Sequence, residues 1–288
     1  MTDYSGVEAF AVLILVALAP ALIYLAWVRK TERYMTEGWR PILNAFFYGA
    51  LGATAIAALI EGILLGLGTS FSQAYPGPDT AILDSSTTIG ALFLVLVIAP
   101  FVEEAVKAWG VIGSSDQFRL VADGPVFGAS VGLGFGFFET FLYGFSGFLI
   151  GGLALGLEII LIRSLSSVLM HGSTTAVFGY GQAMKVFTNG QTKTGGYYLT
   201  AVAMHSLFNL IASLPAIFVL VGITTGIYDY ATYISLALAM AFSFLAIEYA
   251  RVLIHRSDVP PDTFVHAKYK APTVAPKAPR APPARESP

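Results

Sequence analysis

Apolar residues occur along this chain in runs of 18 or more, separated by short connections rich in glycine, proline or charge. Each run is long enough to cross a hydrocarbon core, which needs about 20 helical residues. The pattern predicts membrane helices near 6–28, 41–68, 86–112, 125–148, 153–184, 197–221 and 230–253. The expected fold is all-α: a polytopic transmembrane helix bundle of about seven spans. The glycine-rich stretch 144–156 reads as a turn, a re-entrant piece or a helix start, so an eighth crossing stays open.

Composition removes the alternatives to a bilayer. The 288 residues are 56% hydrophobic and 12% charged, with mean hydropathy +0.70, against roughly 25% charged residues in a soluble domain. A water-soluble fold could not hide that much apolar surface. The net charge of −2 comes without a basic stripe interleaved with aromatics, so nucleic acid is not an expected partner. Cysteine is absent, which excludes disulfides and thiolate metal sites but leaves His/Glu sites open. The N-terminal run carries Asp3 and Glu8, lacks a basic leader and is too long for a signal-peptide core, so it reads as a retained span.

Charge then orients the bundle. Arg29, Lys30, Arg33 and Arg40 fall in the first connection, Lys107 and Arg119 near the third, Lys185 and Lys193 in the fifth, and seven more basic residues from Arg251 onward. Arg163, inside a helix, is the remaining one. Lys and Arg are retained in cytoplasmic loops, so an odd number of spans is expected, with the N-terminus outside and the C-terminus cytoplasmic. The expected organisation is a helical domain over 1–254 and a Pro-rich basic tail over 255–288, where eight of the 15 prolines fall from Pro260 on. Such a tail cannot build a core and reads as disordered. The expected location is a prokaryotic plasma membrane, in contact with lipid.

Several ionisable groups lie where they are expensive. Glu103, Glu104 and Lys107 fall in the third span, Glu139 in the fourth, Arg163 and His171 in the fifth, and His205 with Asn209 in the sixth. Each charge at mid-bilayer costs about 2.5–3.5 kcal/mol on the insertion scale. Counted from the basic side, Glu103, Glu139, His171 and His205 share a layer roughly 12–21 Å deep at about 1.5 Å per residue. Glu8, Glu61, Glu158 and Glu248 fall near helix ends and read as interfacial anchors. Glu103 and Lys107 are four apart and should stack as an ion pair, with Glu104 turned about 100° away. His205 with Asn209, and His171 with Thr175, likewise share helix faces.

These residues, in order, resemble a known family. Glu103-Glu104-x-x-Lys107, Phe135-x-x-x-Glu139, His171 and His205-x-x-x-Asn209, with the glycine-rich run 123–135, are similar to the PrsW family of membrane proteases. That family is distantly similar to the CAAX prenyl endopeptidases and to the anterior-pharynx-defective subunit of gamma-secretase. The resemblance covers about 98–210. It implies that Glu103 and Glu104 are essential to proteolysis, that His171 and His205 complete the site, and that the substrate is a membrane-anchored protein of the anti-sigma-factor kind. The CAAX branch carries histidine where this chain has Glu139, which favours the PrsW branch and argues against prenylated substrates.

Peptide hydrolysis needs an activated water, an oxyanion stabiliser and a proton for the leaving amine. Glu103 or Glu104 would be the general base. Without metal, His171, His205 and Asn209 would stabilise the oxyanion; with metal, His171, His205 and a glutamate would hold a divalent ion such as zinc, leaving a position for water. No H-E-x-x-H pair exists to decide between them. Lys107 and Glu139 are supporting residues, with Glu139 also placed to neutralise Arg163 or Lys107. Gly128-x-x-x-Gly132, with Gly134 and Gly136, reads as close helix packing, and Phe135 as a packing residue. A proton- or ion-coupled transporter and a catalytically silent scaffold are the competing classes, and sequence leaves the oligomeric state open.

Overall fold

A computed structural model describes residues 6–75, 77, 81–84 and 86–260, and these contain helices and turns but no strand. Asp3 and most of the tail 255–288 lie outside the described residues. The helices are α1 (Gly6–Arg29), α2 (Trp39–Ala74), α3 (Thr88–Gly113), α4 (Asp123–Ser164), α5 (Ser167–Phe187), α6 (Gly195–Ala212), α7 (Leu214–Leu220) and α8 (Ala231–Ser257).

Among the described residues, five helical stretches are long and apolar enough to cross a membrane, or six if α6 and α7, bent by 64°, form one span. One of the five runs over Asp123–Phe187, 65 residues. It does not run straight. Gly151 and Gly152 leave helical geometry, Gly152 at φ 77°, a left-handed conformation that costs glycine little. A side chain at Gly144 would collide with Ile160 and approach the Gly156 carbonyl, so the arms of α4 on either side of the break fold back against each other. A second break at Leu165 and Ser166 separates α4 from α5. The continuous helices expected over 153–184 and 197–221 are therefore both interrupted. The second bends at Ser213 because Pro215 lacks an N–H and restricts the residue before it.

The first arm of α4 is the centre of the bundle. Every residue over 123–137 is buried. Its glycines make this possible: a Cβ at Gly132 would overlap the His171 carbonyl of α5, and one at Gly134 would overlap the Phe46 carbonyl of α2. Backbone thus touches backbone on two sides of α4, the close approach that small residues permit in a membrane. Against another side, α1 lays a stripe of Leu13, Ala17, Ala21, Leu25 and Val28 into a core shared with Leu133, Phe141, Ile160 and Ile247.

Helices α2 and α3 each contain a wide π turn, over Tyr48–Ala53 and Leu94–Ile98. Such turns shift the register of everything beyond them and recur at functional sites. The Tyr48 hydroxyl, at the start of the first, donates to Val106 of α3 at 3.0 Å. Helix α2 also reaches Ala74, past the expected end near 68, so Glu61 lies deep within the helix rather than at its end.

One end of the bundle is clamped by polar contacts around the 30–38 connection. Arg33 donates its backbone N–H to Asp258 at 2.6 Å, and Arg29 Nε donates to the Glu37 carbonyl at 2.7 Å. Arg119 Nη2 lies 2.8 Å from Glu37 Oε1 as an ion pair and donates to the Met35 carbonyl. Glu32, Glu37 and Asp123 are all buried around that single guanidinium. Burial, then the neighbouring carboxylates, push Glu32 up to about 8 and Glu37 up to about 7, against the restraining charge of Arg119.

The folded chain thus holds these protons more tightly than the unfolded chain. Their stabilisation is full at acidic pH and is lost as pH rises from about 4.5 through about 8. Glu32→Gln, which keeps the acceptor and removes the charge, should raise the melting temperature at pH 8.5 by on the order of 3 °C and leave it nearly unchanged at about pH 4. Thermal unfolding in mild detergent at both pH values measures it.

Candidate active site

Four helices bring the singled-out residues together. Glu103, Glu104 and Lys107 come from α3, Glu139 from the first arm of α4, His171 from α5, and His205 with Asn209 from α6. Lys107 is fully buried, and Glu103, Glu104, His171 and His205 are each buried to within a few per cent. Lys107 is therefore part of this cluster and does not count as a loop charge when the bundle is oriented.

The expected ion pair of Glu103 with Lys107 is present, but it is the longer of two. Lys107 Nζ donates to Glu104 Oε1 at 2.7 Å and lies 3.8 Å from Glu103 Oε2. The reason is the environment of Glu104: the same Oε1 accepts from Thr174 Oγ1 at 2.9 Å and is met by His205 Nδ1 at 3.0 Å. Three donors converge on one oxygen, and the lysine follows. Helix rotation also makes Thr174, not Thr175, the threonine that works with His171; Thr175 Oγ1 is buried without a partner.

Hydrogen bonding fixes the histidine tautomers. An ammonium can only donate, so Lys107 Nζ, 2.9 Å from His171 Nδ1, requires Nδ1 to accept. The His171 proton then sits on Nε2 and goes to Glu139 Oε2 at 2.8 Å. Glu139 Oε2 also accepts from Arg163 Nη2 at 2.6 Å, which in turn donates to Ser167 Oγ at 2.9 Å. In His205, Nδ1 donates to Glu104, leaving the Nε2 lone pair turned toward Glu103 Oε2, 3.9 Å away. The two imidazoles stand edge to face with centroids 4.9 Å apart. Phe135 does more than fill space: its ring receives Lys107 Nζ at 4.7 Å and packs on His171.

A cavity of about 340 Å³ opens onto this cluster, lined by Glu103, Glu139, Arg163, His171, His205 and Asn209 among others. Glu104 and Lys107 stay behind that wall. Adjacent glutamates thus differ in kind: Glu104 Oε1 takes three donors while its Oε2 is buried without a hydrogen bond behind the wall, and Glu103 Oε2 is buried without a hydrogen bond beside the cavity. Asn209 spends one amide N–H on the Val95 carbonyl in the π turn of α3, at 2.8 Å.

Glu103, His171 and His205 each present one ligand atom, all within 4.8 Å of one another. Tetrahedral zinc at about 2.0–2.1 Å sets its ligand atoms roughly 3.4 Å apart. Glu103 Oε2 lies 3.8 Å from His171 Nδ1 and 3.9 Å from His205 Nε2, so these two of the three separations need about half an ångström of closure. One carboxylate with two imidazoles is also a usual catalytic donor set, and the orphaned Glu103 oxygen is available to it. The residues fit a metal, provided Lys107 releases His171 Nδ1 and keeps its bond to Glu104.

The profile of the PrsW family intramembrane metalloproteases matches residues 37–247. The chain belongs to the PrsW family. This PrsW protein is also similar to "Protease PrsW" of Clostridioides difficile strain 630, 26% identical over 206 residues that make up 69% of this chain and 78% of that protein. No solved structure matches it. It is an integral membrane protease, which favours neither the transporter nor the silent scaffold.

Sequence reasoning singled out neither Thr174 nor Ser167, although both stand one turn from His171, the spacing at which helix neighbours meet. Of the two cations that Glu139 was placed to neutralise, the structure gives it Arg163, at 2.6 Å.

The asymmetry between the glutamates is testable in stability alone. Glu104→Gln leaves Lys107 without its hydrogen-bonded counter-charge, only Glu103 remaining at 3.8 Å, and should destabilise the protein by about 3 kcal/mol. Glu103→Gln removes no hydrogen bond and should stay within about 1 kcal/mol of wild type. Denaturation in mild detergent compares them.

Proposed function

We propose that this PrsW protein hydrolyses peptide bonds of membrane-anchored proteins, with Glu103 as the base that activates water. The observation that carries this reading is the position of Glu103: a carboxylate at the wall of the cavity, its Oε2 between two imidazoles without a hydrogen bond, its Oε1 without a hydrogen bond among the described residues. A base must reach its water, and Glu104 is walled off.

In the proposed mechanism Glu103 Oε1 takes the proton of the attacking water and returns it to the leaving amine. Arg163 lines the same cavity with a buried Nε that has no acceptor, and Asn209 has a second amide N–H; these two donate to the developing oxyanion. Glu139 orients the His171 ring through Nε2, and Glu104 orients His205 through Nδ1. Glu103, His171 and His205 would hold a divalent metal such as zinc, which when bound supplies Lewis-acid polarisation of the carbonyl and a more acidic water.

The reading extends to organisation. Splitting 123–187 at Gly151–Gly152 gives a hairpin of two crossings, and with the bent α6–α7 pair this supports seven spans. Basic residues other than Lys107 and Arg163 remain gathered on one side, which supports an outside N-terminus, a cytoplasmic tail and a helical domain over 1–254. A bacterial relative supports a prokaryotic plasma membrane, and the family resemblance an anti-sigma-factor-like substrate.

With a reconstituted single-span substrate, Glu103→Gln should lower the cleavage rate by about 10²–10⁴-fold, the usual contribution of a general base. Wild-type activity retained in that variant would remove Glu103 from the mechanism. Elemental analysis of purified protein should find about one divalent metal per chain, lost in His205→Ala and after chelator treatment. Equal metal content in wild type and His205→Ala would place any metal elsewhere.

A further inference from the structure

One carboxylate in the cavity has no task in this mechanism. Glu61, on α2, lines the same space as Glu103, Glu139 and Arg163, and its Oε1 is buried with no hydrogen-bond partner. It makes no hydrogen bond or ion pair with any described residue. The other carboxylates of the site are all spoken for: Glu139 by Arg163 and His171, Glu104 by Lys107, Thr174 and His205, and Glu103 by its place between the histidines.

The helix that carries Glu61 is shaped around the cavity. Thr54, Ala57, Ala58 and Glu61 recur at i, i+3, i+4 and i+7, one face of α2, and all four line it. Threonine and two alanines leave room along that face, and Glu61 is the first long side chain, closing it one turn further on. Across the cavity stand Tyr143 of α4 and the π turn of α3. The α2 wall of the cavity is thus built of small residues and carries, in Glu61, a carboxylate with a buried oxygen that makes no hydrogen bond. Arg163, the cation on the cavity wall, is already paired.

We propose that Glu61 is a specificity residue: it receives a lysine or arginine side chain of the substrate segment lying in the cavity, next to the bond to be cut. This rests on the protease reading and adds the class of side chain accepted. A basic residue supplies the donor and the counter-charge that Glu61 lacks, and a matched pair discriminates against an apolar side chain of similar length, which would leave the carboxylate unpaired.

The test uses a synthetic single-span peptide of leucine and alanine, carrying lysine, norleucine or aspartate as guest at successive positions. Binding is measured by displacement of a fluorescent peptide from protein in the Glu103→Gln background, so that the peptide survives, and cleavage is followed in parallel with Glu103 intact. At one guest position lysine should bind about tenfold tighter than norleucine. Glu61→Gln should abolish that preference and Glu61→Lys should transfer it to aspartate. Equal binding of the lysine and norleucine peptides at every position, binding of neither, or a preference unchanged in Glu61→Gln overturns the subsite. Cleavage without preference removes the subsite and leaves the protease reading standing; preference without cleavage by the Glu103 protein does the reverse.

Discussion

A single oxygen organises the membrane-embedded site. Glu104 Oε1 accepts hydrogen bonds from its own helix through Lys107, from α5 through Thr174 and from α6 through His205. A buried carboxylate tolerates loss of water only when donors and counter-charge compensate it, and here three donors from three helices, one of them an ammonium, meet on Oε1 while Oε2 is left without a hydrogen bond. Each donor is fixed in return. Lys107 is aimed at His171 Nδ1, His205 is held with Nδ1 protonated, and α5 and α6 are drawn against α3 at the level of the cavity. The reactive geometry of Glu103 is what remains once Glu104 has taken the donors.

The same constraint runs through the glycines of α4. Polar groups from separate helices meet within hydrogen-bond distance only if the helix axes come close, and backbone contact at Gly132 and Gly134 brings α5 and α2 onto α4. His171 is the residue whose carbonyl faces Gly132, so the packing that closes the bundle also sets the depth of the imidazole. Helix breaks then let the chain turn its side chains inward. Ser167 follows the break before α5 and joins Arg163 and Glu139 in the network that holds His171.

Much of this was legible in the residues. Apolar runs gave the helices because only a bilayer accommodates them, and the glycine-rich stretch 144–156 contains the reversal at Gly151–Gly152. The ionisable residues of spans three to six converge because charge at depth is tolerated only in company. The partners were harder to read. Spacing at i and i+4 pointed to Glu103 with Lys107, but a lysine side chain also reaches i−3, and the deciding donors Thr174 and His205 come from other helices. Hydropathy is blind to π turns and to the true end of α2, so Glu61 read as an interfacial anchor when it lines the cavity. How Lys107 divides itself between Glu103 and Glu104 rests on side chains from other helices, which no spacing within one helix shows.

The central claim is the tautomeric state that the Glu104 hub imposes, and nitrogen-15 NMR of histidine-labelled, chelator-treated protein tests it most directly. His171 and His205, assigned by single substitution, should give neutral imidazoles of opposite tautomer, His171 protonated at Nε2 and His205 at Nδ1, with the His205 signal moving in Glu104→Gln. Two imidazoles with the averaged shifts of the exposed His255, unmoved by Glu104→Gln, would contradict the account.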